Sequence, residues 1–542
     1  MKTKLFKSVF LVSLIAIILS SCTKDLNRSP FYGLNTDNVY NDPSNYIHVL
    51  AKLYAGLSLT GNQGPAGKPD LDPSSVDEGY SQYIRTLFNI EELPTDEAVC
   101  NWNDPGIPEL HQMAWQSDGY WSKAMYYRIF YQIPLCNEFI RESSDANMSS
   151  RGFSDADQTT IREYRAEARF LRALSYYHAI DLFGSVPFVD ENDLPGSFYP
   201  KQISRVDLFN YVESELLDLQ NLLPDPRTNE YGRVDKACAW FLLAKLYLNA
   251  EVYTGQQRYT DCITYASKVA TAGYSLEPVY ANLFRTDNNL SNEIIFPVTF
   301  DGLKTTSYGG TTFLVHCAVG GTMNPLDFGI AGGWSGYRAT VDSTPDFGFA
   351  NHLFGVTPQN PKGDTLDSRN MFWTNGQVMQ INDISSFTYG YPITKWKNIS
   401  STGAPGSDPT GGFVDTDFPM FRLADDYLMY AEAVLRGGTG GDMATALGYV
   451  NAIRERAYGN SSHDMNSIDL NFILDERGRE LEWEAQRRTD LIRFGEFTSG
   501  SYLWPWKGGV KQGEAVGDFR NLYPIPIDDI IANPNLVQNP GY

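Results

Sequence analysis

The stretch SDADQTTIREYRAEARFLRALSYYHAIDLFGSVP, residues 154–187, decides the fold class of this chain. From Ile161 to Leu174 its apolar residues recur every three or four positions, which is the spacing of one face of an α-helix. Ser154 and Asp157 form a variant capping box at the start, and a glycine and a proline follow the last apolar turn. The stretch therefore predicts a long helix that packs one face against its neighbours.

Similar periodic segments occur on both sides of this helix. Short loops separate many of them, which favours stacked helical hairpins of tetratricopeptide type, although the repeat period is degenerate. The predicted fold class is mainly α, a tetratricopeptide-like helical-hairpin scaffold with long irregular loop regions rich in aromatic residues. The other predicted helices cover residues 45–57, 121–141, 206–223, 236–252, 260–272, 423–436, 443–456 and 468–494.

Two regions, 60–118 and 294–418, break the helical pattern and are rich in Gly, Pro, Asn, Asp and aromatic residues. Loops longer than a connection requires are usually functional or disordered, and aromatic content argues against disorder. We expect the two regions to form one elaborated face on the scaffold. The predicted divisions are a leader at 1–21, a tether at 22–40, an N-terminal helical region at 41–285 containing the 60–118 insertion, and a C-terminal region at 286–542 containing the 294–418 loops and the helices of 423–494.

The N-terminus has the pattern of a lipoprotein signal peptide. Three lysines precede an apolar stretch, residues 9–19, that is too short to span a bilayer. The sequence LSSC at 19–22 then has the pattern of a bacterial lipoprotein cleavage site, so Cys22 is predicted to become the lipidated first residue. Several acyl chains would anchor the protein on a membrane without crossing it.

Composition limits the partners and cofactors. The 542 residues include 43 Lys and Arg against 65 Asp and Glu, a formal net charge of −22, and such a surface repels phosphate backbones, so no nucleic-acid partner is expected. Apart from Cys22, five cysteines remain without close C-x-x-C spacing, which argues against zinc and against a disulfide framework. Cys136, Cys238 and Cys262, like His178, lie in apolar helical surroundings and are predicted to be core residues.

The motifs of nucleotide-binding and serine-hydrolase enzymes are absent from the sequence, and the six histidines lack metal-binding spacing. Glu92 and Asp96 belong to an acidic run of the kind that is usually solvated or caps helices, yet a glycoside hydrolase needs only two well-placed carboxylates. Residues 287–293 offer oxygen ligands for calcium but lack the twelve-residue loop pattern. The alternating charges of 476–493 are interpreted as intrahelical pairs on a solvated or interhelical face.

Several of these segments, with the N-terminal motif, resemble the SusD/RagB family of outer-membrane nutrient-uptake lipoproteins from the Bacteroidetes. The resemblance implies a helical scaffold with tetratricopeptide-like pairs, without a catalytic or metal site, anchored by lipid at the outer membrane and facing the cell exterior. It also implies a SusC-like TonB-dependent porin as partner and a glycan held for import. The segments are RAEARFLRAL (165–174) with DLFGSVP (181–187), the 476–493 helix, and the tail motifs YPIP (523–526), NPNL (533–536) and QNPGY (538–542).

The resemblance is closest to the starch-binding prototype of that family, through ELPTDE (92–97), KTTSYGG (304–310), GW (333–334) and YLWPWKGG (502–509). It implies that Trp102, Tyr308 and Trp334 form a curved aromatic platform, with Arg85 bonding sugar hydroxyls and Asp104 in the adjoining loop. The apolar face of a pyranose stacks on aromatic rings, and three rings in an arc suit the curvature of an α-1,4-glucan.

Two departures from the prototype concern this platform. Cys100 stands where the prototype has a tryptophan, and the loop 103–106 is one residue shorter and lacks an aligned asparagine, so affinity or linkage preference could differ. The leading hypothesis is a non-enzymatic, cell-surface protein that captures α-glucan oligosaccharides. The alternatives are the same uptake role for a different glycan or glycopeptide, and a lipid-anchored glycoside hydrolase.

Overall fold

The computed structural model describes residues 36–71, 78–194, 196 and 198–542, and it is predominantly helical. The predicted signal peptide, Cys22 and most of the predicted tether lie outside the described residues. Within the described ranges, no helix is both long enough and apolar enough to cross a membrane.

The helices and strands are numbered in chain order. The α-helices are α1 (Thr36–Tyr40), α2 (Tyr46–Ser58), α3 (Tyr83–Glu92), α4 (Ile107–His111), α5 (Tyr120–Glu142), α6 (Asp145–Ser150), α7 (Asp155–Leu182), α8 (Arg205–Leu219), α9 (Lys236–Leu248), α10 (Ala250–Thr254), α11 (Tyr259–Ala270), α12 (Gly310–Cys317), α13 (Phe349–Phe354), α14 (Leu423–Leu435), α15 (Met443–Tyr458), α16 (Leu470–Leu481), α17 (Arg487–Arg493) and α18 (Ile527–Ala532). The strands are β1 (Val99–Cys100), β2 (Val186–Pro187), β3 (Gln202–Ile203), β4 (Ile294–Val298), β5 (Tyr337–Arg338) and β6 (Phe418–Arg422).

The long helices pack one after another, which confirms the predicted scaffold of tetratricopeptide-like helical hairpins. Helix α5 packs on α7, α7 on α8, α8 on α9, α9 on α11, α11 on α14, and α14 on α15. Helix α9 lies inside this stack with apolar residues on nearly every side, because neighbouring helices cover it all round. One continuous hydrophobic core runs through the stack.

The local predictions for residues 154–187 are confirmed, as are those for three cysteines of other helices. The Ser154 hydroxyl accepts a hydrogen bond from the Asp157 backbone N–H (3.2 Å) and donates one to the Asp157 carboxylate (2.6 Å). His178 is buried and its Nδ1 lies 2.7 Å from the Tyr83 hydroxyl. Cys136, Cys238 and Cys262 are free and buried.

Two antiparallel strand pairs organise the loop regions. Strand β4 pairs with β6, from Ile294 opposite Arg422 to Val298 opposite Phe418, and so brings together the two ends of the region between them. Strand β1 pairs with β5 and thereby joins the 60–118 region to the 294–418 region. The two loop regions meet on one face, as the sequence predicts.

Two local predictions need correction. The 60–118 region contains helix α3, whose ten residues have helical apolar spacing but lie within a region that was assigned to loops from its Gly, Pro, Asn and Asp content. The single helix predicted at 468–494 is two helices, α16 and α17. Between them Trp483 and Ala485 adopt left-handed φ angles of 58° and 60°, which break the helix.

The charges of 476–493 do not face solvent, and most partners come from other elements. Arg477 pairs with Asp425 of α14 (2.8 Å), and Glu480 pairs with Arg422 of β6 (2.6 Å). Pairs within one helix, such as Arg479 with Glu476, are the minority of the pairs described for this segment. Buried charges persist where they are paired and hydrogen-bonded, and burial cannot be recognised from alternating charge alone.

Candidate functional site

Three aromatic side chains lie in series on the face formed by the two loop regions. The ring centroids of Trp102 and Trp334 are 6.3 Å apart with planes inclined by 49°, and those of Trp334 and Tyr308 are 6.2 Å apart with planes inclined by 68°. Tyr308 is 39% exposed, and the two tryptophans are half-buried. The residues that the sequence analysis placed in one platform are therefore adjacent.

Trp102 follows β1 and is fixed by the loop that carries Trp334. Its indole Nε1 donates a hydrogen bond to the Trp334 carbonyl (3.1 Å). The absence of a side chain at Gly336 allows this approach, because a Cβ there would lie 2.4 Å from the Trp102 ring. Pairing of β1 with β5 sets the register of these two loops.

Trp334 is supported by His316 of helix α12. The Trp334 backbone N–H donates a hydrogen bond to the His316 carbonyl (2.8 Å), which closes the loop against the end of the helix. The Trp334 ring stacks on the His316 imidazole with centroids 4.8 Å apart, and the imidazole Nδ1 lies 2.7 Å from the Gly332 carbonyl. Burial lowers the pKa of His316, so the imidazole under the Trp334 ring is neutral.

Tyr308 is positioned by two buried side chains that precede α3. The Glu78 carboxylate accepts hydrogen bonds from the Ser307 hydroxyl (2.6 Å) and the Tyr308 backbone N–H (3.3 Å). The Gln82 side-chain oxygen accepts from the Gly310 backbone N–H (2.8 Å). On its far side the Tyr308 ring lies 5.5 Å from the ring of Phe413.

Arg85 lies beneath the rings. It is 3% exposed, and its guanidinium carbon lies 4.3 Å from the Tyr80 ring centroid and 4.5 Å from that of Phe313. It donates a hydrogen bond to the Tyr308 carbonyl (3.0 Å). Cation–π contacts of this kind stabilise an aromatic cluster from within. The structure therefore gives Arg85 a supporting position under the platform.

Asp104 lies at the edge of the same cluster. Its carboxylate accepts a hydrogen bond from the Tyr80 hydroxyl (2.6 Å), which fixes the carboxylate beside the loop of Trp102. Sequence reasoning missed Tyr80, His316 and Phe413 as parts of the site. Their only signal in the sequence is that they are aromatic rings within or beside the two loop regions.

The carboxylates considered for hydrolysis are buried, so the expectation of a solvated acidic run is wrong. Glu92 is fully buried, and its pKa is raised well above the usual value by burial and by the neighbouring Glu97. Asp96 pairs with Arg487 (2.7 Å); burial alone would raise its pKa, but Arg487 holds it below the usual value. Neither carboxylate is placed to reach a bound glycan at the surface.

The segment considered for calcium is tied to protein groups. Asp287 accepts hydrogen bonds from the backbone N–H (2.8 Å) and hydroxyl (2.6 Å) of Ser401, and Glu293 pairs with Arg422 (2.9 Å). Across the described ranges, no group of three or more His, Cys, Asp or Glu side chains is arranged to hold a metal ion. Calcium binding at this segment stays a prediction.

Comparison with known proteins identifies the relatives of the chain. The starch-binding protein SusD of Bacteroides thetaiotaomicron is 38% identical over the full length of both chains, and the sequence model of the SusD family matches residues 329–542. Among solved structures, a SusD superfamily protein from B. thetaiotaomicron has a TM-score of 0.67 at 20% identity, covering 92% of this chain and 99% of that one. Surface glycan-binding protein A from Bacteroides fluxus has a TM-score of 0.68 at 19% identity, with the same coverage.

The helical scaffold is that of SusD superfamily structures, and the relative that is 38% identical over its full length is a starch-binding protein. Within that superfamily, the chain belongs to the SusD family.

Proposed function

We propose that this protein is a cell-surface lipoprotein that captures starch-like α-glucan oligosaccharides and delivers them to a SusC-like TonB-dependent porin of the outer membrane. The observation that carries the ligand class is the series of three surface rings, Trp102, Trp334 and Tyr308, with centroid spacings of 6.3 and 6.2 Å. The relative that is 38% identical over its full length is a starch-binding protein.

The chemistry of the platform suits a curved glucan. Each pyranose of the chain presents an apolar C–H face that stacks on a ring, and successive inclined rings follow a chain that turns. The inclinations of 49° and 68° between neighbouring rings give the platform such a turn. Asp104 and the exposed groups of its loop supply partners for sugar hydroxyls at one edge.

The rings are also pre-organised. The Trp102 side chain is fixed by its indole hydrogen bond, and the Trp334 ring is fixed by the stacked imidazole of His316. The backbone N–H of Tyr308 is held by the Glu78 carboxylate. A site whose side chains are ordered before binding loses little conformational entropy when the ligand arrives. Cys100, the residue that departs from the prototype, is 1% exposed and adds no group to the surface.

The proposed attachment of the protein to the outer membrane depends on Cys22. The pattern at residues 19–22 supports lipid attachment at Cys22, and the body of the protein would then stay at the outer surface of the cell. A tethered binding protein beside a porin raises the local concentration of the captured glycan at the entrance of that porin.

Binding of maltoheptaose to the purified protein, measured by titration calorimetry, tests the ligand class. Trp102→Ala and Trp334→Ala should each weaken binding at the platform by about fivefold or more, since stacking of a sugar on one ring contributes on the order of 1 kcal/mol or more. Tyr199→Ala is the matched control, because Tyr199 is 61% exposed and lies outside the platform. A folded protein that ignores maltoheptaose but binds a β-glucan, a fructan or a glycopeptide would replace the α-glucan by that ligand.

A further inference from the structure

A second concave surface lies on the other side of the loop that carries Tyr308. One hollow of about 400 Å³ lies between α2, β4 and the segment 230–233, and another of about 230 Å³ lies across the same segment. Tyr231, Gly232 and Pro297 line both hollows, so the segment forms a low ridge between them. The combined space is within the range of small-molecule sites.

Tyr231 is the prominent side chain of this ridge. It is 48% exposed, yet its hydroxyl donates a hydrogen bond to the carboxylate of Asp417 (2.7 Å), which is itself 5% exposed. Asp417 is held in turn by the backbone N–H of Phe300 (2.8 Å). A large ring that is half open to solvent but anchored at its tip is a pre-organised stacking surface.

Fixed polar groups surround the ring. Arg233 donates from Nε to the buried carboxylate of Glu167 (3.0 Å), which orients its guanidinium beside the larger hollow. In the smaller hollow, Arg227 donates to the side-chain oxygen of Asn292 (2.8 Å). Thr299 and Thr305 add hydroxyl-bearing side chains to the larger hollow. An apolar floor with a few fixed polar groups is the pattern of a small-molecule site.

The ridge is structurally continuous with the aromatic platform. Thr305 lines the larger hollow and precedes Tyr308 by three residues in the same loop. Glu78 joins the two sides, because it accepts hydrogen bonds from Thr60 (2.6 Å), which follows α2, and from Ser307 (2.6 Å). The ridge and the platform therefore share one loop and one buried carboxylate.

We infer that the two hollows form a second saccharide-binding site, in which an α-glucan segment stacks on Tyr231 and bonds through its hydroxyls to the surrounding polar groups. This inference rests on the proposed function for its ligand class. A saccharide fits better than a docked helix, because fixed polar groups such as Arg233 and Arg227 suit sugar hydroxyls, whereas a docked helix presents an apolar face to an apolar groove. Two sites on one chain would raise the avidity for a polymer without tighter binding at either.

Titration calorimetry with maltoheptaose on the purified full chain tests the second site through stoichiometry. We expect two binding events per wild-type chain; Tyr231→Ala should weaken one of them and Trp334→Ala the other, each by about fivefold or more, and the double variant should weaken both. Tyr231→Phe keeps the ring and should retain two sites, which separates loss of stacking from loss of folding. Tyr199→Ala, at another exposed tyrosine, should also retain two.

The outcomes separate this inference from the proposed function. A single wild-type site that Trp334→Ala removes and Tyr231→Ala leaves intact would overturn the second site and keep the platform. A single site that only Tyr231→Ala removes would overturn the platform instead. Failure of the folded wild-type chain to bind any maltoheptaose, or binding at the ridge only of an apolar dye that maltoheptaose does not displace, would overturn the second site as an α-glucan site.

Discussion

At the scale of single residues, the surface rings depend on small and buried neighbours that never touch a ligand. Gly336 leaves room for the Trp102 indole, Glu78 holds the Tyr308 backbone, and His316 supports the Trp334 ring. Substitutions of these supporting residues should therefore change the affinity for the glycan even though the three aromatic residues are unchanged.

Gly336→Ala tests this dependence directly. The new Cβ would lie 2.4 Å from the Trp102 ring, so the ring must move. The affinity for α-glucan should therefore fall by about tenfold or more. Circular dichroism should show that the helical fold is unchanged. Gly332→Ala is a matched control, because it lies in the same loop, neither glycine has a positive φ, and a Cβ at 332 meets nothing within 4 Å. Equal affinities for the two variants would contradict the role of Gly336.

The buried carboxyl pair of Glu92 and Glu97 gives a second prediction at this scale. Burial raises the pKa of Glu97 to about 8 and also raises that of Glu92, so the folded protein keeps a proton that the unfolded chain releases above about pH 4.5. The stability due to this pair is fully present below the unfolded pKa and is lost as the pH rises through the folded pKa.

Glu92→Gln replaces the shared proton with an amide donor to Glu97. The variant should match the wild type near pH 5 and exceed it by about 1 to 2 kcal/mol in free energy of unfolding near pH 8, measured by urea denaturation. Glu163→Gln, on the exposed face of α7, is the control and should follow the wild type at both pH values. A variant that loses stability in parallel with the wild type would show that the pair holds no proton.

The residue scale also shows what the sequence could predict of the site. Resemblance placed Trp102, Tyr308 and Trp334 together, and the structure brings them into contact. The support by Arg85 could not be predicted, because only burial distinguishes a guanidinium under a ring from one at the surface. The acidic run was misjudged for the same reason.

At the scale of elements, the strand pair β4 and β6 connects the loop face to the scaffold. Arg422, the last residue of β6, pairs with Glu293 (2.9 Å), Glu480 (2.6 Å) and Glu484 (2.6 Å), so it ties the start of β4 to α16 and the segment after it. The scaffold and the loop face therefore share one buried network of charges. Breaking such a network leaves charges without partners in the interior.

Arg422→Met removes the cation and keeps a similar volume. It leaves three buried carboxylates short of a partner, so the free energy of unfolding should fall by about 3 to 5 kcal/mol. Arg162→Met breaks an exposed pair with Asp145, whose side chains are 43% and 60% exposed, and should cost less than about 1 kcal/mol. Chemical denaturation of both variants is the measurement, and similar losses would show that burial of the network adds nothing.

The elements show how far periodicity carries a prediction. The amphipathic helices were predicted close to their observed ends, for example 423–436 against Leu423–Leu435. Helix α3 was missed although its apolar residues have helical spacing, because it is only ten residues long and lies within a region whose composition favours loops. The break between α16 and α17 was missed because tertiary contacts fix its conformation, which the local sequence does not require. The Trp483 backbone N–H, for example, donates a hydrogen bond to the Glu97 carboxylate (2.7 Å).

At the scale of the whole molecule, the formal charge of −22 contributes little to the free energy of binding a neutral glycan. Stacking and hydrogen bonds act at short range and are little affected by salt, whereas long-range repulsion of anionic polymers is screened. The dissociation constant for maltoheptaose should therefore change by less than about twofold between about 0.05 and 0.5 M NaCl. A steep dependence on ionic strength in calorimetric titrations would show that charged groups carry the interaction.

The pairing of β4 with β6 affects how the binding face can evolve. Because the two strands bring together the ends of the region between them, this region could be exchanged as one unit by recombination between relatives that keep the scaffold partners of its buried charges, such as Glu480. Trp334 and Tyr308 would travel with the exchanged segment, but Trp102 would remain behind on the recipient chain. A crossover at these two strands would therefore produce a hybrid whose ligand preference belongs to neither parent, and new preferences can arise in this way before any point mutation.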